Sequence, residues 1–248
     1  MQSSNPALRN EVFTGSGRYV QTESMTSQGV VYKTAILLLL VILSSAFTWM
    51  KFVKSGGNPS AVSGWLMLGL IGGFIAAMVT SFKATWAPVT APIYALLEGL
   101  FIGGLSAVME SQYPGIVVQA SMLTFGTLLS MLAAYQSGLI QATENFKLGV
   151  MAATGGIAIF YLATMVLGFF GINMPLVNQG GALGIGFSVV VVIIAALNFV
   201  IDFDFIEQGA KKGLPKYMEW YGAFALMVTL IWLYIEILRL LSKVRESK

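Results

Sequence analysis

Seven apolar stretches, each close to twenty residues long, constrain this 248-residue chain more than any other feature. They cover about 33–53, 62–82, 92–109, 116–135, 148–170, 182–201 and 218–241. A bilayer's hydrocarbon core is about 30 Å thick, and a helix needs about 20 apolar residues to cross it. Backbone amides in lipid find no water, so a crossing must be a helix or part of a closed barrel. Barrel strands alternate in hydropathy over segments of about ten residues, whereas these blocks are continuous. Composition agrees, since 10% of residues are charged and 56% hydrophobic, against about 25% charged in a soluble domain. The expected fold is an all-α integral membrane protein, a seven-transmembrane-helix bundle surrounded by lipid.

Between the blocks lie Gly56-Gly57-Asn58-Pro59, Pro88, Pro114-Gly115, Gly138, Pro175, Gly180-Gly181 and Gly213-Leu214-Pro215. Each is turn chemistry of the kind found where helices end. Gly69-x-x-x-Gly73 and Gly99-x-x-x-Gly103 place small residues on one helix face, where two backbones can approach closely. We read these as packing faces. The first 28 residues are polar and Gly/Ser-rich and lack the apolar core of a signal peptide. They are expected to form a flexible tail (1–28), leaving 29–248 as the membrane domain.

The Lys and Arg residues in the flanks give an orientation. With the N-terminus inside, the inner segments carry Arg9, Arg18, Lys33, Lys83, Lys147, Lys211, Lys212 and Lys216, and the outer loops only Lys51 and Lys54. A cytoplasmic N-terminus follows. Seven spans would then put Arg239, Lys243, Arg245 and Lys248 outside, so either a late helix breaks the rule or one segment is re-entrant. We read seven spans.

The chain has no Cys and no His, which removes disulfides, thiol nucleophiles, the common zinc and haem ligand sets and imidazole catalysis. No basic stripe with interleaved aromatics points to nucleic acid. Neither the GxGD signature of an intramembrane aspartyl protease nor the His of a rhomboid-like protease is present. The chain is expected not to be an enzyme and to carry no cofactor.

Acids inside apolar helices are costly, about 2.5–3.5 kcal/mol each on insertion scales, and mark functional positions. Glu98 falls within the third block, Glu236 in the last third of the seventh, and Asp202 and Asp204 close the sixth, followed by Glu207. Lys83 closes the second block, where it either snorkels to the headgroups or pairs with an acid. Glu236 has Arg239 as a helical neighbour three residues on, and Glu98 has no charged residue within four positions. An EF-hand beginning at Asp202 would need Gly sixth and Glu twelfth, but those positions hold Glu207 and Gly213. Helical period sets Asp202 on one face with Asn198 and turns Asp204 about 200° away. Asp202 is expected to point inward, and Asp204 to face loop or solvent.

The stretches VIDFDFIEQGAKKGLPKYMEWY, LIWLYIEILRLLSKV and SFKATWAPVTAPIYALLEGLFIGG resemble the Bax inhibitor family, the transmembrane Bax inhibitor motif proteins. In the last-helix pattern of that family Glu236 stands where Asp is usual, and the spacing between the two acids is longer. The resemblance implies a bundle whose last helix is central. It also implies a pH-sensitive Ca²⁺ leak in a bacterial plasma membrane, in which acids of helices six and seven share protons and hold the ion. Carried over, these are Asp202 or Asp204 and Glu236, with Lys83 as a latch on the helix-six acid; Asp204 or Glu98 are the other candidates for the pair. Asn198, Glu207 and Arg239 support the site. If the hairpin turns at Gly213, the two acids are offset by about 18 Å, at 1.5 Å per residue, which opposes direct pairing. An alternative function implied by the same resemblance is a regulator that binds and restrains a membrane-anchored AAA protease.

Overall fold

The computed structural model describes residues 24–171 and 181–247; Pro175, Gly180 and residues 1–23 of the tail lie outside them. Seven long helices follow one another. They are α1 (Ser27–Lys54), α2 (Ser60–Phe82), α3 (Ala87–Gln112), α4 (Ile116–Gln136), α5 (Glu144–Phe169), α6 (Ala182–Lys211) and α7 (Met218–Glu246). A short 3-10 turn, Ala84–Trp86, leads into α3. All seven are long and apolar enough to cross a bilayer, and no regular strand occurs among the described residues.

Local chemistry sets the ends. Thr26 and Thr143 cap α1 and α5 by accepting from Gly29 N and Phe146 N, which satisfies amides that have no partner within the helix. Pro88 sits in the first turn of α3, where its missing N–H costs nothing. Gly213, at φ +63°, ends α6 in the left-handed conformation that glycine adopts without strain, and Leu214 N closes back onto Gly209 O at 3.1 Å.

α7 is the most buried helix, with half of its apolar window inside the protein against 11–44% for the others. It packs on α1, α3, α4 and α6, and Tyr161 of α5 reaches it through Glu236. α2 stands further out, held chiefly by α3. The glycine faces bring the backbones together. A Cβ on Gly99 would lie 1.9 Å from Ser44 Oγ, one on Gly103 2.2 Å from Ser45 O, and one on Gly69 2.6 Å from Leu97 O. With no hydrophobic gain between helices in lipid, such close approach supplies the packing that holds them.

Three features differ from the sequence reading. α6 continues ten residues past 201, so the DFDFIE acids lie within its last turns and do not close it. Within the segment assigned to the tail, Met25 is buried and its amide donates to Leu214 O at 2.7 Å, and α1 begins at Ser27. The basic residues at the end of α7 are also engaged within the bundle. Lys243, 3% exposed, donates to Gly184 O and Ser188 Oγ of α6, and Arg245 holds Pro114 O and Gln119. Lys243 and Arg245 thus make contacts within the bundle.

Candidate functional site

The acids near the end of α6 diverge as the helical period requires. Asp204 and Glu207, three residues apart, share a face, and Asp202 lies on the other side. Asp204 pairs with Lys147 of α5 at 2.8 Å, and Glu207 accepts from Tyr135 of α4 and from Lys211. Both line a cavity of about 1100 Å³ between α1, α4, the α4–α5 connection and α6. Gln136, Gln141, Thr143 and Gln208 add further oxygens to its polar end. Asp204 thus lies across this cavity from residues of the α4–α5 connection. Its side chain is only 15% exposed, because α6 extends far enough to turn it into a vestibule wall.

Asp202 points the other way, into the bundle. Thr229 of α7 donates to its Oδ2 at 2.7 Å, and no ion pair reaches it among the described residues. Asn198, one turn earlier, donates to Thr154 of α5 at 2.9 Å and to its own helix. Glu236, 1% exposed, accepts from Tyr161 at 3.0 Å and from Arg239 at 2.9 Å. The structure does not bring Asp202 and Glu236 together. Thr229 and Glu236 are seven residues apart on α7, about 10 Å at 1.5 Å per residue, so the two carboxylates sit at different levels with separate partners. The offset is shorter than the 18 Å expected from a turn at Gly213, because α7 begins only at Met218. No group of three or more acids suited to a metal ion occurs among the described residues.

Lys83 does not reach the α6 acids either. It caps α2 and lies over the ring of Trp86, 4.2 Å from its centroid, an arrangement typical of the membrane interface. Glu98 lies half-buried against α2, its Oε1 2.7 Å from where a Cβ on Gly73 would be. No donor reaches it among the described residues, in contrast to the polar partner expected on a neighbouring helix.

Sequence reasoning missed Glu219, at the start of α7. Its carboxylate is fully buried and accepts from the backbone and hydroxyl of Thr26, both at 2.9 Å, and from Lys33, with Lys216 at 3.3 Å. A Cβ on Gly29 would strike it at 2.1 Å. Lys147, Tyr135 and Tyr161 were likewise not anticipated as partners of acids. Their contacts span 57 to 75 residues of sequence, and local pattern carries no trace of such pairs.

Comparison with family models matches the one described as Bax inhibitor 1 like, over residues 5–246. Neither the curated proteins nor the solved structures yield a match.

Proposed function

We propose that this chain, which belongs to the Bax inhibitor 1 like family, is a proton-regulated Ca²⁺ leak of the plasma membrane, a conduit and not an enzyme, with its N-terminal end in the cytoplasm. The observation that carries the reading is the vestibule whose wall holds Asp204 and Glu207 beside the central helix. Ca²⁺ is a hard cation that takes six to eight oxygen ligands and keeps some as water. An acid-walled recess with low-dielectric sides concentrates such an ion at its mouth. Lys147 and Lys211 partly balance the acids, so a passing cation is held loosely, as conduction requires.

Asp202 is the proton-coupled group in this account. Its hydrogen-bond partner among the described residues is a neutral hydroxyl, that of Thr229, so it can take up or release a proton without breaking an ion pair. Glu236 is bound by Arg239 and Tyr161 and serves to fix α5 on α7.

Purified protein in liposomes loaded with Ca²⁺ and an indicator tests this. The wild type is expected to release Ca²⁺ well above protein-free vesicles. Asp204→Asn with Glu207→Gln should lower the rate about tenfold, the lower end of what electrostatic focusing supplies. Wild-type release no faster than from empty vesicles would refute the leak and favour a protein that acts through a partner, such as a membrane-anchored protease.

A further inference from the structure

A second cavity, of about 320 Å³, lies between α1, α3, α4 and α7. α1 and α4 make little direct contact and both line this gap. The second cavity carries five hydroxyls on otherwise apolar walls: Ser45, Ser106, Ser121, Thr124 and Tyr234. Ser45 donates its proton to Gly99 O and Thr124 to Ala120 O. A hydroxyl that has given its proton to a carbonyl keeps oxygen lone pairs to offer. These oxygens are the polar points on an otherwise apolar wall.

One side chain lines both cavities, that of Leu38. It lies eleven residues beyond Ser27 and sixteen before Lys54, about 16 Å and 24 Å at 1.5 Å per residue, near the middle of the span. At that level the neighbouring linings are also apolar, with Phe125 and Leu128 on α4 and Leu226 and Met227 on α7. A narrow apolar constriction blocks ions by excluding water.

We propose that Leu38 is the septum of a two-chamber conduit, holding the acid-walled vestibule apart from the hydroxyl-lined cavity. Its displacement joins the two for a small hydrated cation. The inference rests on the leak reading for its physiological meaning, but it can be tested without Ca²⁺ flux. The chain has no cysteine, so single-cysteine reporters need no background removed. Thr34→Cys reports on the vestibule and Ser121→Cys on the second cavity.

A membrane-impermeant cationic methanethiosulfonate, added from the vestibule side of oriented proteoliposomes, should modify Thr34→Cys readily and Ser121→Cys hardly at all. Adding Leu38→Ser should raise modification of Ser121→Cys at least about tenfold, as expected when an apolar barrier is wetted. Leu38→Ile, which conserves volume, should keep the block and shows that the site accepts substitution. Equal modification of Ser121→Cys with Leu38 and with Leu38→Ser, in protein that stays monodisperse, would overturn the septum. Wild-type Ca²⁺ release alongside that result would leave the leak reading standing. The expected labelling pattern without any Ca²⁺ release would retain the septum and refute the leak.

Discussion

Gly103→Val is expected to separate α3 from α1 and cost about 3 kcal/mol or more, at the upper end of the overpacking range. The Cβ alone would lie 2.2 Å from Ser45 O, 2.2 Å from Thr48 Oγ1 and 2.5 Å from Ser45 Cα. Two of these atoms are backbone, so relief requires a helix to move and not merely a rotamer. The shift would also disturb the nearby Ser45 bond to Gly99 O. The protein should show a sharply lower thermal midpoint and a loss of monodisperse material in detergent. Gly126→Ala on α4 is the control, since a Cβ there meets nothing within 4 Å. Alanine should be neutral or stabilising at that site, by about 0.5–1 kcal/mol for a glycine inside a helix. A Gly103→Val protein as stable as the control would show that the α1–α3 contact is looser than described.

Glu219→Ala should have the second large effect, about 3 kcal/mol, the lower end of the cost of removing one partner from a buried ion pair. The lower end applies because Lys33 and Lys216 are partly exposed and can recover some hydration. The carboxylate gathers the first turn of α1 and its cap onto the start of α7, and a negative charge there also meets the favourable end of the helix dipole. Its loss frees the Thr26 amide and hydroxyl. Hydrogen exchange should therefore rise most over residues 24–33, with α3 and α4 little changed. Glu219→Gln, which keeps an acceptor but not the charge, should fall between. Uniform exchange across all helices would contradict a local lock.

The fold was legible because its strongest determinant is local. Twenty apolar residues in a row must cross a bilayer, and the glycine spacings of α2 and α3 named the close-packed faces. The end of α6 was not legible from hydropathy. The DFDFIEQGAK stretch is charged, yet a helix needs backbone bonds and not apolar side chains to continue, and Gly213 is the residue that stops it. The site was half legible. The divergence of Asp202 from Asp204 follows from period alone, whereas the choice of Thr229 opposite Asp202 depends on the register of two helices joined by a six-residue connection. A shift of two turns in that register separates a carboxylate pair from the observed Asp202–Thr229 bond. Glu219 was hidden for another reason: its partners Thr26 and Lys33 belong to the first helix and its own cap, nearly 200 residues away.

In the proposed leak, the buried Asp202 carboxyl group couples protons to Ca²⁺ passage while the acids on the opposite face of α6 form the mouth. Ca²⁺ release from proteoliposomes at pH 6 and pH 8, compared for the wild type, Asp202→Asn and Asp204→Asn, tests it most directly. The rate should depend on pH in the wild type and in Asp204→Asn, with a lower rate at both values in the latter. Asp202→Asn should release Ca²⁺ at one rate across the two pH values. A pH response that survives in Asp202→Asn but vanishes in Asp204→Asn would contradict it.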